Sequence, residues 1–313
     1  MASTLVPAVT QITSSDYVVE PWWARAHQWY RSNVPNHVGK RRVLAGLHRV
    51  GLRAARPFLW KMENGNYVAI EPREGLAPWS VGWTCFQSGR WEPHVEHLLE
   101  QRVQTGSHVM DIGANIGYFS AVMARQVGPQ GRVFSFEPVP STYKQLCLCR
   151  SFNKLDQLTP LNLALGNQNT TAELHFDPSM MGSASLHGHM SDAQRQSATV
   201  QVRRLDDLWK EGAVTEPKLI KIDVEGHEYA VFEGARALLS KARPEIVFEY
   251  NRAAAMSAGW DLARLVTLLR DCCDYRFFQV TPEGNSPIDP ASFEVNPEAY
   301  VDLLALPPDG GAA

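Results

Sequence analysis

One stretch of the chain decides its fold: His108-Val109-Met110-Asp111-Ile112-Gly113-Ala114-Asn115-Ile116-Gly117-Tyr118-Phe119-Ser120. Its first five residues are mostly apolar and predict a short buried strand, after which Gly113 and Gly117 bracket a tight turn. From Phe119 onward the apolar residues recur at helical spacing. A strand, a glycine loop and a helix in this order open doubly wound sheets, and nucleotides bind at that loop.

Strands and helices alternate along the rest of the chain. The further strands are predicted at 132–136, 159–165, 218–223, 245–250, 275–280 and 300–306. Residues 167–203 interrupt the alternation and are predicted to be an insertion with strands at Ala172–Phe176 and Thr199–Arg203. Alternating strands and helices predict an α/β fold with a mainly parallel sheet and helices on both faces.

Residues 1–89 do not follow this pattern, so we divide the chain into an N-terminal extension (1–89) and a main domain (90–313). The extension is predicted to contain helices near 20–32 and 38–52, a hairpin at 57–71 around Asn64-Gly65, and a loop at 75–89. It could cap the main domain, close over a substrate as a lid, or contact a second copy of the chain. The sequence leaves these alternatives open.

The composition excludes several classes of protein. The 313 residues carry a net charge of -3, which gives no sign of a protein that binds nucleic acid by neutralising phosphates. The five cysteines form no pattern of disulfides or zinc ligands. Neither a secretory signal nor a membrane-spanning run is recognisable. We therefore expect a cytoplasmic protein that binds neither nucleic acid nor membrane and that could be a homo-oligomer.

The glycine loop itself points to a particular ligand. It lacks the G-x-G-x-x-G pattern of dinucleotide sites, and Asp111 stands two residues before the first glycine, where it would repel a pyrophosphate. A ligand with a cationic amino group would be attracted instead. S-adenosylmethionine has such a group, together with a cationic sulfonium and a carboxylate that backbone N–H groups can bind. The loop residues predicted to contact it are Asp111, Gly113, Ala114, Asn115, Gly117 and Tyr118.

Glu137 is the second predicted anchor for this cofactor. It ends the second strand, 24 residues after Gly113, where an acidic side chain can accept hydrogen bonds from both ribose hydroxyls. Pro138 follows it and Ala164 lies in the next predicted strand, and both are expected to line the same site.

A third polar cluster follows the strand at 218–223. Asp223, Glu225 and His227 stand at the carboxyl edge of the sheet and are the candidate catalytic residues, with Asp223 also near the cofactor. They could instead only begin the next helix. Glu249 and Asn251 end the neighbouring strand and, with Asp223, could hold Mg²⁺.

These motifs together resemble the FkbM-type family of S-adenosylmethionine-dependent methyltransferases. The resemblance rests on Asp111–Ser120, Phe136-Glu137-Pro138, Leu205–Leu208 and Ile220–Glu228, and it extends over about 90–251. It implies a class I methyltransferase fold, Rossmann-like, with a seven-stranded sheet that carries one antiparallel strand. It also implies O-methylation, often of natural products or sugars, with S-adenosylhomocysteine as the product. The position of His227 varies in the family, which weakens its case as the base.

The predicted reaction is in-line methyl transfer to a hydroxyl of a small molecule, with a general base to take the proton. Alternatives are methylation of a carboxyl group held by Arg25 or Arg90, and Mg²⁺-assisted methylation of a hydroxyl. A nicotinamide oxidoreductase is disfavoured by Asp111 and by the missing dinucleotide pattern. A non-catalytic nucleotide-binding module is also disfavoured, because such a protein would keep the fold but would not need the polar clusters at 111–117 and 223–228.

Overall fold

The computed structural model describes residues 17–37, 39–40, 42–47, 57–71, 81–176, 196–296 and 299–308. The strands are β1 (Val18–Val19), β2 (Phe58–Lys61), β3 (Tyr67–Ile70), β4 (His108–Ile112), β5 (Arg132–Phe136), β6 (Leu158–Leu161), β7 (Ala164–Leu165), β8 (Thr170–Phe176), β9 (Gln196–Arg203), β10 (Leu219–Ile222), β11 (Glu245–Asn251), β12 (Arg276–Thr281), β13 (Gly284–Ile288) and β14 (Tyr300–Leu306).

The α-helices with defined bounds are α1 (Trp22–Asn33), α2 (Val81–Ser88), α3 (Pro93–Arg102), α4 (Tyr118–Val127), α5 (Pro140–Asn153), α6 (Leu205–Lys210), α7 (Glu228–Glu233), α8 (Arg236–Ala242), α9 (Arg252–Ser257) and α10 (Leu262–Cys272). Residues 42–47 are also helical, which agrees with part of the helix predicted at 38–52.

The central sheet has the strand order β13-β12-β14-β11-β10-β4-β5-β6 in the described part of the chain. Strands β11, β10, β4, β5 and β6 are parallel to one another, while β14 runs antiparallel to both β11 and β12. The seven-stranded Rossmann-like sheet is therefore confirmed, with β14 as its antiparallel strand. An eighth strand, β13, pairs with β12 at the edge and was not predicted.

Two further differences concern local structure. The strand predicted at 159–165 is split, because β6 stays in the central sheet while β7 pairs with β9 in a separate three-stranded sheet of order β7-β9-β8. The two strands predicted for the insertion are present as β8 and β9. The loop predicted at 75–89 is wrong over its second half, where α2 forms.

The apolar side chains pack on both faces of the sheet. One face is covered by α2, α3 and α4, and its core also includes Trp23, Phe58 and Phe86 of the extension. The other face is covered by α7, α8 and α10. The described residues of the extension thus share a core with the first face, while a role as lid or oligomer contact stays a prediction. Among the described residues, no helix is long and apolar enough to cross a membrane.

Candidate active site

Parallel strands place their carboxyl ends at one edge of the sheet, and the predicted polar residues gather there. Ile112 ends β4, Phe136 ends β5 and Ile222 ends β10, and these three strands are neighbours. Backbone bonds tie the loops that leave them: Gly113 N and Ala114 N both donate to Phe136 O, and Asp223 N donates to Ile112 O. The glycine loop, Glu137 and Asp223 are therefore held next to one another.

Gly113 is required where two of these loops touch. Its φ is +81°, and a Cβ there would lie 1.8 Å from the carbonyl oxygen of Asp223. Gly117 has a φ of +89° and stands immediately before α4. A Cβ on Gly117 would lie 2.9 Å from Leu146 Cδ1, so the loop needs glycine at both positions.

Glu137 is buried, and both of its carboxylate oxygens accept backbone hydrogen bonds. Asn115 N donates to Oε2 at 2.9 Å and Val139 N donates to Oε1 at 2.9 Å. Burial raises the pKa of Glu137 to about 7, against the lowering effect of these two bonds. A carboxylate oxygen has two lone pairs, so each can accept one further hydrogen bond from a ribose hydroxyl. The geometry fits the role predicted for Glu137.

Asp111 is fully buried rather than open to the crevice. Ser120 Oγ donates to its Oδ2 at 2.5 Å, and Ser135 Oγ lies 2.8 Å from Ser120 Oγ. Its other oxygen, Oδ1, has no hydrogen-bond partner among the described residues. Burial raises its pKa, while Lys221 lowers it. Because the side chain is closed off from the crevice and Lys221 supplies a nearby cation, the predicted contact between Asp111 and the cofactor stays a prediction.

The other residues predicted to contact the cofactor differ in what surrounds them. Asn115 Oδ1 accepts from Ile116 N at 2.8 Å, and Asn162 Nδ2 donates to Pro138 O at 3.0 Å. Ala164 lies in β7 and packs in the small core under β8 and β9. Tyr118 is buried, and Glu96 of α3 adds to burial in raising the pKa of its phenol. The Tyr118 side chain therefore lies near α3.

Lys221 is a buried cation between carboxylates. It stands opposite Asp111 in the β4–β10 register, and its Nζ lies 3.3 Å from Asp223 Oδ2 and 5.0 Å from the Phe119 ring centre. Burial lowers the pKa of Lys221, but Asp223, Asp111 and Glu92 raise it more, so it stays above its ordinary value. The lysine is charged, and it neutralises part of the negative charge at this edge.

The turn after β10 presents two carboxylates in different ways. Glu225 has a φ of +52°, and burial together with Asp223 raises its pKa to about 8. Glu228 is buried and accepts from Val224 N and Gly226 N, so it stabilises the turn. This agrees with the alternative that some of these acids serve to begin the helix.

His227 lies to one side of these carboxylates, at the start of α7. The imidazole lies close to Gly166, which follows β7: a Cβ added to that glycine would be 3.2 Å from His227 Nε2. The structure therefore brings Asp223 next to the glycine loop, with Glu225 near Asp223, and it places the imidazole against Gly166 beside the separate small sheet.

The Mg²⁺ alternative receives no support from this geometry. Asn251 Oδ1 accepts from Ala254 N at 3.1 Å and caps α9. In the described part of the chain, no group of three or more His, Cys, Asp or Glu side chains could hold a metal ion.

Two residues at the site were not predicted from the sequence. His94 Nε2 lies 2.7 Å from Asp302 Oδ2, and this contact ties α3 to β14 although the residues are 208 positions apart. Asp302 stands opposite Glu249 in the β11–β14 register. A polar residue in a run such as Tyr300–Leu306 was a possible signal for Asp302, but nothing in the sequence links it to His94.

Residues 111–277 match the methyltransferase FkbM domain, which is just over half of the chain. The chain belongs to the FkbM family of methyltransferases. Family membership confirms the resemblance that the sequence motifs indicated.

Individual relatives are distant. The chain is 28% identical over 160 residues to a hexuronic acid methyltransferase, AglP, of Haloferax volcanii, covering 50% of this chain and 62% of that protein. It is 28% identical over 177 residues to the 2-O-methyltransferase NoeI of Sinorhizobium fredii, covering 51% and 70%. The match with the first of these relatives thus spans less than two thirds of its length.

Solved structures include a methyltransferase FkbM from Methylobacillus flagellatus. The similarity has a TM-score of 0.43 and 16% identity, and it covers 90% of this chain and 58% of that chain.

Proposed function

We propose that this chain methylates a hydroxyl group of a sugar or a similar small molecule, with S-adenosylmethionine as donor. Two named relatives support this class: one is a hexuronic acid methyltransferase and the other a 2-O-methyltransferase. The observation that carries the proposal is the junction of the glycine loop with the acidic turn after β10, where Gly113 meets the backbone of Asp223.

The chain's own groups would divide the work as follows. Glu137 would accept the ribose hydroxyls, and the glycine loop would accommodate the methionyl end, with the buried charge of Asp111 behind it. The cofactor supplies an activated methyl group on a sulfonium. The protein must therefore align the acceptor oxygen with that methyl and exclude water.

A hydroxyl acceptor also needs a group that takes its proton. We assign this role to the carboxylates of Asp223 and Glu225. Burial and its neighbour Asp223 raise the pKa of Glu225 to about 8, so its ionised form is a stronger base than an ordinary carboxylate and can take the acceptor's proton. Because His227 lies against Gly166, we expect it to contribute less.

The first test is a calorimetric titration of the full chain with S-adenosylhomocysteine, in wild type and Glu137→Ala. We expect micromolar binding by wild type and a marked loss in the variant. Absence of binding by wild type, also when sugar acceptors are added, would contradict the proposal.

The second test is transfer of a labelled methyl group to a panel of sugar glycosides. Asp223→Asn should abolish transfer while S-adenosylhomocysteine still binds, and His227→Ala should retain most of it. Normal turnover by Asp223→Asn and Glu225→Gln would remove both carboxylates as the base.

A further inference from the structure

The turn between β10 and α7 carries Glu225, one of the two carboxylates assigned to take the acceptor's proton. Glu225 and Gly226 adopt left-handed φ values of +52° and +94° in succession. This backbone conformation is unfavourable for a residue that has a Cβ, and it persists only where the surrounding structure determines it. Contacts from other elements must therefore hold Glu225 in place.

Two of these contacts come from α7 and α9. Glu228 of α7 is buried, and its Oε1 accepts from Val224 N at 3.1 Å and from Gly226 N at 3.3 Å. Gly226 also lies against α9, because a Cβ added to it would be 2.9 Å from the carbonyl carbon of Ala254. These contacts fix the N–H side of the turn, and the carbonyl of Gly226 needs a separate donor.

Trp260 supplies that donor from the loop between α9 and α10. Its indole Nε1 donates to Gly226 O at 2.8 Å, although the two residues are 34 positions apart. The tryptophan is only 5% exposed, and a buried carbonyl that loses its donor is left unsatisfied. Since Glu228 binds the N–H of Gly226 and Trp260 binds its carbonyl, the turn is held at both peptide groups of this glycine.

The indole is itself held by aromatic neighbours. Its ring stacks on Tyr229 of α7 at 6.3 Å between ring centres, and the ring of Tyr250 in β11 lies 5.8 Å away. The guanidinium of Arg264 lies 4.5 Å from the Tyr229 ring centre and donates to Gly259 O at 3.0 Å, which fixes the loop beside Trp260. A phenylalanine would keep much of this packing but has no N–H to donate.

We propose that Trp260 is a positioning residue for proton transfer: its bond to Gly226 holds the turn so that the Glu225 carboxylate stays where it can take the acceptor's proton. This inference rests on the proposed function. Without the bond we expect Glu225 to move more than Asp223, because Asp223 N is bonded to Ile112 O at the end of β4. A displacement of about 1 Å in such a group can slow a reaction by about a hundredfold.

The first experiment measures methyl transfer by the full chain with Trp260→Phe, using a sugar glycoside that wild type methylates. We expect kcat to fall about ten- to hundredfold. The KM for the acceptor and the Kd of S-adenosylhomocysteine should stay within about twofold of wild type, because the cofactor loop is not altered. Unchanged kcat in this variant would overturn the inference.

Tyr275→Phe is the matched control for a purely structural effect. Tyr275 is buried, and its phenol donates to Pro244 O at 2.9 Å, at the amino end of β11 and away from the site. Its loss also leaves one buried carbonyl without a donor, so kcat should stay at the wild-type value. An equal loss of kcat in Tyr275→Phe and Trp260→Phe would overturn the inference.

A second variant avoids the cavity that phenylalanine leaves. Benzothienylalanine incorporated at position 260 keeps both rings and has sulfur in place of the N–H, so it removes the donor alone. We expect the same fall in kcat as in Trp260→Phe. Normal kcat with benzothienylalanine would show that the packing of the ring matters and its hydrogen bond does not, which would overturn the inference even if Trp260→Phe does not fold.

A double-mutant cycle tests whether Trp260 acts through Glu225. Glu225→Gln alone should lower kcat, and Trp260→Phe added to it should lower kcat by no more than about twofold further, because the group that Trp260 positions is already lost. Effects that multiply in the double variant would overturn the inference.

Failure of the proposed function is seen separately in wild type. Absence of S-adenosylhomocysteine binding, or of methyl transfer to any glycoside, would contradict the proposed function and this inference with it. Normal turnover by Glu225→Gln would overturn the role of Trp260 as well, since that role requires Glu225. Impaired Glu225→Gln beside normal Trp260→Phe would overturn the inference and leave the proposed function standing.

Discussion

At the scale of single residues, Glu137 has the best-defined geometry at the site. Its two oxygens are aligned by the backbone N–H groups of Asn115 and Val139, so the carboxylate cannot turn away from the crevice. The same two bonds join the glycine loop to the exit of β5. The side chain thus both shapes the loop and leaves lone pairs for the ribose.

Glu137→Gln should weaken binding of S-adenosylhomocysteine about 10- to 100-fold, because hydrogen bonds to a charged group contribute about 1.5–3 kcal/mol. An amide also turns an NH₂ donor toward one of the backbone N–H donors. Calorimetric titration gives the change in Kd, with Glu173→Gln as an exposed control. Affinity equal to wild type would show that Glu137 serves only the loop.

Lys221 offers a second prediction at this scale. Lys221→Met leaves Asp111 and Asp223 without their common cation, and loss of one partner from a buried pair costs about 3–5 kcal/mol. We expect a decrease of that order in the free energy of unfolding measured in urea. The control is Lys241→Met, an exposed lysine at the end of α8, which should change stability by less than about 0.5 kcal/mol. Equal effects of the two substitutions would mean that Lys221 is not needed for charge balance.

At the scale of elements, the site depends on contact between the loops that follow β4 and β10. Gly113 has no room for a Cβ, whereas Gly212 has a similar φ of +74° with nothing within 4 Å of the added atom. Alanine substitutions at these two glycines therefore separate the cost of a left-handed backbone from the cost of the clash.

Gly212→Ala should lose about 1–2 kcal/mol, the cost of a positive φ. Gly113→Ala should lose that amount and about 1–3 kcal/mol more, because the Asp223 carbonyl must move. Urea unfolding gives both values, and calorimetry with S-adenosylhomocysteine should show lost binding for Gly113→Ala alone. If the two variants behave alike, the close approach of the loops is not important.

The elements that the sequence predicts well are those with strong local patterns. The apolar run at His108–Ile112 and the helical period after Phe119 gave β4 and α4 with nearly their observed bounds. Strand β13 contains Gly284, Asn285, Ser286 and Pro287, and it forms because the edge of β12 offers backbone partners. Such a strand has no hydrophobic alternation to reveal it. The division between β6 and β7 likewise depends on which strand each segment meets.

At the scale of the whole molecule, the sequence indicated which strand ends carry polar groups, but not how distant segments meet there. The alternation of strands and helices was enough to bring Asp111, Glu137 and Asp223 to one edge. The contribution of α3 could not be foreseen, since the contact between His94 and Asp302 joins positions 208 apart. Pairing of that kind is set by packing over the sheet and leaves no periodic signal in the chain.

The grouped carboxylates make the stability of the whole molecule depend on pH. Burial raises the pKa values of Glu137 and Glu228 to about 7, of Glu92 and Glu225 to about 8, and of Glu249 to about 10, from an ordinary value of 4.5. Between these limits the folded state holds more protons than the unfolded state, so stability must fall as pH rises. His94 acts in the same direction, because its bond to Asp302 raises its pKa and that stabilising charge is lost as pH rises.

We therefore expect the free energy of unfolding in urea to decrease steadily from pH 6 to pH 9. Glu249→Gln removes one of the groups that must ionise, so its decrease should be shallower, while Glu173→Gln should follow wild type. Stability that stays constant or rises over this interval, or equal slopes for wild type and Glu249→Gln, would contradict the raised pKa values of these carboxylates.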